Sequence, residues 1–222
     1  MKKIILPVLS LLFLFSCKKE DGLPRVETIT GGNKWTLQTG SSPAEVYAQL
    51  QQLSEEKEID EVAVVYRQPF SAPEEVKAHL PFYNAITLQN NTGRIERVLL
   101  QFSGETVHSI AAGGGRLDEV SEWPLDVPDE IRIRPHDPIS ELYQKLLAIY
   151  ERPLYNQYQI ILPNKSLAKP FDPDMANYTE WAFTFPVDVK ENRTGTSSVR
   201  LYFTHGKLNK IRHEYNEADV FN

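Results

Sequence analysis

Residues 42–53, SPAEVYAQLQQL, and residues 138–149, PISELYQKLLAI, lie 96 positions apart and carry one pattern. In the first, Ser42 is placed to cap a helix with Pro43 at its first position and Glu45 three residues on. In that arrangement hydroxyl and carboxylate each satisfy an orphan N–H of the first turn. Val46, Leu50 and Leu53 then recur at helical spacing and form one apolar stripe. In the second, Asp137 and Pro138 start a helix on which Leu142, Leu146 and Ile149 recur likewise. Glu45, Tyr47 and Leu50 have identical counterparts in Glu141, Tyr143 and Leu146.

The correspondence extends to both sides of each helix. Ahead of it, alternating Trp35 and Leu37 match Ile131 and Ile133; behind it, residues 61–66 (EVAVVY) match residues 157–162 (QYQIIL). The second pair of segments is apolar on both faces, as central strands are. Further on the offset becomes 101, and Val98, Leu100 and Phe102 align with Val199, Leu201 and Phe203 on one face of an alternating strand. Hairpin tips follow at Gly104-Glu105 and His205-Gly206, where glycine supplies the positive φ of a tight turn. Beyond them Val107 and Ile110 match Leu208 and Ile211, and a spacing of three in both copies predicts a shared β-bulge. With middle strands over 83–89 and 178–185, the expected class is α+β: two tandem β-α-β-β-β-β units of mainly antiparallel sheet, one helix packed on each. The units span 33–112 and 129–222, and residues 113–128, rich in Gly, Asp, Glu and Pro around Trp123, connect them.

The N-terminus is an address. Lys2 and Lys3 precede an apolar run from Ile4 to Phe15, the flanks and length of a secretory signal and too short to span a bilayer. The run ends in Leu14-Phe15-Ser16-Cys17, which resembles the lipobox of bacterial lipoproteins. The resemblance implies cleavage after residue 16, acylation of Cys17 as the lipid attachment site, and residues 17–32 as an anchored tether. The absence of Asp directly after Cys17 resembles Gram-negative lipoproteins sorted to the outer membrane, on its periplasmic face or at the cell surface.

Removing residues 1–16 takes Lys2 and Lys3 from 24 basic residues, which leaves 22 against 30 acidic ones and a formal net charge of −8. No basic surplus remains to neutralise phosphates, so nucleic acid is not an expected partner. With Cys17 acylated, the chain has no thiol for a disulfide, a nucleophile or a sulfur-ligated metal.

Local catalytic motifs are missing. His79, His108, His136, His205 and His213 show no metal-binding spacing, and Gly113-Gly114-Gly115 lacks the Lys and Ser/Thr of a phosphate loop. Asp172-Pro173-Asp174 pairs two carboxylates in a loop, although Pro173 suits a plain turn better. Neither metal nor cofactor is expected. Arg200 and Tyr202, opposite Leu201 and Phe203 on their strand, and Trp123, beside Asp118, Glu119 and Glu122, are the candidate binding surface; Trp35 and Trp181 fall in apolar alternation and read as core. The expected function is a non-enzymatic binding module with a protein or glycan ligand. The competing expectation is a periplasmic or surface glycan hydrolase using Asp172, Asp174 or Glu180 with His205 or His213.

Overall fold

The computed structural model describes residues 25–90, 92, 96–189 and 193–219. Cys17, the signal segment and the lipobox lie outside the described residues.

The described residues open with β1 (Arg25–Ile29) and two short strands, β2 (Asn33–Lys34) and β3 (Leu37–Gln38), before α1 (Pro43–Ser54) and β4 (Glu61–Val64). A crossing segment bearing the one-turn α2 (Pro73–Val76) leads to β5 (Ala85–Asn90), β6 (Glu96–Ser103), β7 (Thr106–Gly113) and β8 (Asp118–Val120). Next come α3 (Ile139–Tyr150), β9 (Gln159–Ile161), β10 (Lys165–Ser166), β11 (Glu180–Val187), β12 (Arg193–Thr204) and β13 (Lys207–Asp219). The strands form a six-stranded sheet in the order β1-β13-β12-β11-β4-β10, a five-stranded sheet in the order β8-β7-β6-β5-β9, and the β2-β3 hairpin. β1 occupies residues expected to be tether; it pairs along β13, with Arg25 opposite Tyr215 and Ile29 opposite Ile211.

The helix patterns fold as their sequences dictate. Ser42 and Glu45 form the reciprocal capping box at α1, with Ser42 N–H donating to Glu45 Oε2 at 2.6 Å, and Val46, Leu50 and Leu53 are fully buried. At α3 the N-cap is Pro138, which offers no side-chain acceptor; Asp137 turns away to accept from the Arg134 N–H and the Lys145 ammonium. The bulge appears in both hairpins at the same place. Register slips between Gln101 and Phe102 in the first copy and between Tyr202 and Phe203 in the second, 101 residues later.

The copies exchange parts. β4, from the first, pairs with β11 of the second, with Val64 opposite Trp181 and Ala63 opposite Ala182. β9, from the second, pairs with β5 of the first, with Ile160 opposite Leu88. The cores follow the pairing: α1 residues Val46, Leu50 and Leu53 pack with Trp181, Phe183, Leu201 and Ile211, whereas α3 residues Leu142, Leu146 and Ile149 pack with Ile86, Leu88, Leu100 and Ile110.

The expected α+β class, with one helix on each tandem unit, is overturned. The described residues are mostly β, 42% strand against 21% helix, and form three sheets and three α-helices. Its physical cause is twofold. Apolar burial is non-directional, so a helix stripe does not specify which of two similar strand faces covers it. Short strands without alternation also add to the sheets: β8 lies inside the expected connection, and β10 borders β4. The strands expected ahead of the helices are reduced as well. Trp35 sits at φ 51° between β2 and β3, and Ile133 only bridges to Trp123. The central position expected of both post-helix strands is not reached: β4 is next to last in its sheet, with only the two-residue β10 outside it, and β9 is the edge strand of the other, its outer side met by a single bridge from Phe70 to Ile160.

Candidate functional site

Alternation along β12 buries Val199, Leu201 and Phe203 and turns Arg200 and Tyr202 outward. The bulge places Asn209 outside the pairing, so that Lys210 lies opposite Tyr202 and Arg212 opposite Arg200. The Lys210 ammonium stands 3.9 Å from the centre of the Tyr202 ring, within cation–π range. Arg200 pairs with Glu180 at 2.6 Å and Arg212 with Glu214 at 2.9 Å. The Glu180 hydrogen bond raises the pKa of Arg200, with smaller contributions from Tyr202 and Tyr66.

Tyr66 completes this face from the other copy. The Val65 N–H donates to the Glu180 carbonyl at 3.0 Å and brings the end of the β4 segment beside the Arg200 pair. Tyr66 is 75% exposed and has φ 64°, a left-handed backbone that a bulky residue rarely adopts. Such an outlier costs on the order of 1–3 kcal/mol and is concentrated at functional surfaces. Only the exchange of strands brings Tyr66 to Arg200.

Trp123 does not belong to this surface. It is 5% exposed and packs against Tyr155 and Tyr158 in the core of the five-stranded sheet. Its acidic neighbour Glu122 is held by Arg132 and Arg134, each at 2.7 Å, while Asp118 and Glu119 of the same stretch stay exposed.

Asp172 and Asp174 form the expected turn, Asp172 Oδ1 accepting from the Asp174 N–H at 3.1 Å. Asp172 is also the buried centre of a junction between the two cores. Its Oδ2 accepts from the Tyr83 hydroxyl at 3.0 Å and faces His79 Nδ1 at 3.2 Å. Arg67 donates to the Tyr83 oxygen and lies 3.9 Å from Asp172 and 3.5 Å from Asp174. The guanidinium also stands over the Tyr83 and Tyr178 rings. Lys165 is fully buried against the Tyr47 and Tyr83 rings and donates to the Ser166 carbonyl. Burial pushes the Asp172 carboxyl up, but hydrogen bonds from His79, the Asp174 N–H and Tyr83 overcome that and hold it below the ordinary range. Burial brings Lys165 down to about 8.

This junction does not assemble the expected hydrolytic set. The histidine that meets Asp172 is His79; His205 sits at a hairpin tip with φ 51°, His213 faces Ser197 Oγ at 2.9 Å, and Glu180 is engaged by Arg200. His79, Asp172 and Asp174 offer ligand atoms within 4.8 Å of one another, a spacing a metal could use. Arg67 already lies within 4 Å of both carboxylates and Lys165 is buried nearby, so a divalent ion there would be opposed by both cations. Sequence reasoning could not find this group, since its members come from five separated stretches of chain. A pocket of about 100 Å³ lies beside Arg67, lined by Val64, Ile161 and Pro163, and one of about 530 Å³ is lined by Lys57, Phe185, Val187 and Arg193. Neither is lined by Arg200, Tyr202, Lys210 or Arg212.

Compared with known protein families, curated proteins and solved structures, the chain matches none.

Proposed function

We infer that this protein is an outer-membrane lipoprotein, anchored through Cys17, that acts as a non-enzymatic binding module and offers the outward face of its six-stranded sheet to a partner. The observation that carries the reading is Tyr66: a strained, largely exposed residue brought to the Arg200 pair by the Val65–Glu180 hydrogen bond, on a face that bears Arg and Tyr, residue types that dominate binding energy at protein interfaces. The lipobox supplies the address, because several acyl chains anchor far more firmly than one.

A photo-crosslinking amino acid at position 66, and separately at position 101, tests the function in cells of the source bacterium. The reading predicts a discrete adduct from position 66 and none from position 101 on the other sheet. Absence of an adduct at 66, or equal adducts at both, refutes it. Cys17→Ala tests the anchor separately by moving the chain out of the membrane fraction.

A further inference from the structure

The duplication provides an internal comparison at corresponding sheet positions. At the offset of 101, the inward residues Val98, Leu100, Phe102 and Ile110 have the counterparts Val199, Leu201, Phe203 and Ile211, and all eight are buried. The outward residues diverge. Leu99, Gln101, Ser109 and Ala111 in the first copy correspond to Arg200, Tyr202, Lys210 and Arg212 in the second. The pairing is the same in both: Leu99 opposite Ala111 and Gln101 opposite Ser109, as Arg200 is opposite Arg212 and Tyr202 opposite Lys210. One fold position thus carries a neutral face in one copy and three cations around a tyrosine in the other.

Folding does not call for that second set. Arginines directly opposite each other on neighbouring strands repel, and Glu180 and Glu214 at the flanks only partly offset this. Lys210 meets the Tyr202 ring and, among the described residues, no carboxylate. The side chains of Arg200 and Arg212 remain 48% and 38% exposed, on a protein whose mature charge is strongly negative.

Resting on the binding-module reading above, we propose that Arg200, Lys210 and Arg212, with the rings of Tyr66 and Tyr202, dock an acidic segment of a partner protein. Carboxylates of the segment pair with the planar guanidinium forks, and its apolar groups lie on the tyrosines. The mixed charge selects a protein over a uniform polyanion. A sulfated glycan or an anionic membrane would set negative charge against Glu180 and Glu214 as well as against the cations, whereas a polypeptide can place neutral or basic groups there.

The test measures binding of the full chain, solubilised in detergent, to a fluorescent 12-residue peptide with Glu and Tyr at alternate positions. The same peptide with Gln for Glu, heparin, and vesicles containing phosphatidylglycerol serve as the other arms. The proposal predicts that the Glu peptide binds, that raised salt weakens it, and that Lys210→Ala with Arg212→Ala weakens it about tenfold. Tyr66→Ala weakens it too, and Gln101→Ala on the neutral face leaves it unchanged. Unaltered thermal melting of each variant shows that the fold is retained. Equal binding of the Gln peptide, or tighter binding of heparin or vesicles through the same residues, overturns the proposal. A crosslink from position 66 without any binding of the Glu peptide overturns the acidic chemistry alone and leaves the binding-module reading standing.

Discussion

Val64, in the first copy of the repeat, lies directly opposite Trp181 in the second, and Ile160, the second copy's counterpart of Val64, lies opposite Leu88 in the first. Each helix-and-strand arm therefore completes the sheet of the other copy. The candidate binding face is a product of that exchange, since Tyr66 arrives with β4 and Arg200 with β12.

The junction at Asp172 holds the exchanged arms together. Replacing Asp172 by Asn keeps the shape but leaves Arg67 with Asp174 alone and sets the Tyr83 hydroxyl and His79 against a neutral amide; a loss of about 2 kcal/mol is expected from removing the charged acceptor of buried hydrogen bonds. Because the folded Asp172 carboxyl is held below its unfolded value, its contribution is present above the unfolded pKa and fades as the pH falls through the folded one. Urea titrations from pH 7 downward should show a smaller acid loss in Asp172→Asn than in the parent. An unchanged slope would remove the junction from the stability account.

Lys165 acts at the other end of the pH scale. Between its folded value of about 8 and the ordinary 10.5, the unfolded chain holds a proton that the folded one lacks, so stability rises with pH across that window. The buried phenols of Tyr47, Tyr83, Tyr150, Tyr155 and Tyr158, all pushed up by burial, reverse the trend above about pH 10. Lys165→Met is expected to flatten the rise between pH 8 and 10 and to be neutral or stabilising at pH 7. Denaturation midpoints of the two proteins across pH 7 to 10 measure this, and a parallel rise in both would contradict it.

At the start of α1, Ser42→Ala should cost about 1 kcal/mol by removing the acceptor for the first turn. Glu45 serves the same box from the other side, so Glu45→Ala added to Ser42→Ala should cost less than the two separate losses summed. Chemical denaturation of the single and double variants decides it.

The local rules were legible. Ser42 with Glu45 announced the cap, Val107 with Ile110 and Leu208 with Ile211 announced the bulge, and Gly104 and Gly206 marked the turns, each within a few residues of its effect. The exchange was not, because the faces of Val98, Leu100 and Phe102 and of Val199, Leu201 and Phe203 are interchangeable in apolar chemistry. Arg200 and Tyr202 could be read as outward from alternation alone. Tyr66 could not, since EVAVVY reads as strand to its end, and only the tertiary turn after Val64 imposes a positive φ there. Trp123 misleads for the opposite reason: its acidic neighbours suggest solvent, but Glu122 is consumed by Arg132 and Arg134.

The pairing of the first copy's β4 with the second copy's β11 is the claim from which both the fold and the binding face follow, and a cysteine pair tests it directly. In a Cys17→Ala background with no other thiol, Ala63→Cys with Ala182→Cys places two cysteines opposite each other in register. Ala63→Cys with Thr87→Cys instead probes pairing of β4 with its own copy. The account predicts a rapid intramolecular disulfide in the first variant and none in the second, read as mobility on a non-reducing gel; a disulfide in the second and not the first would contradict it.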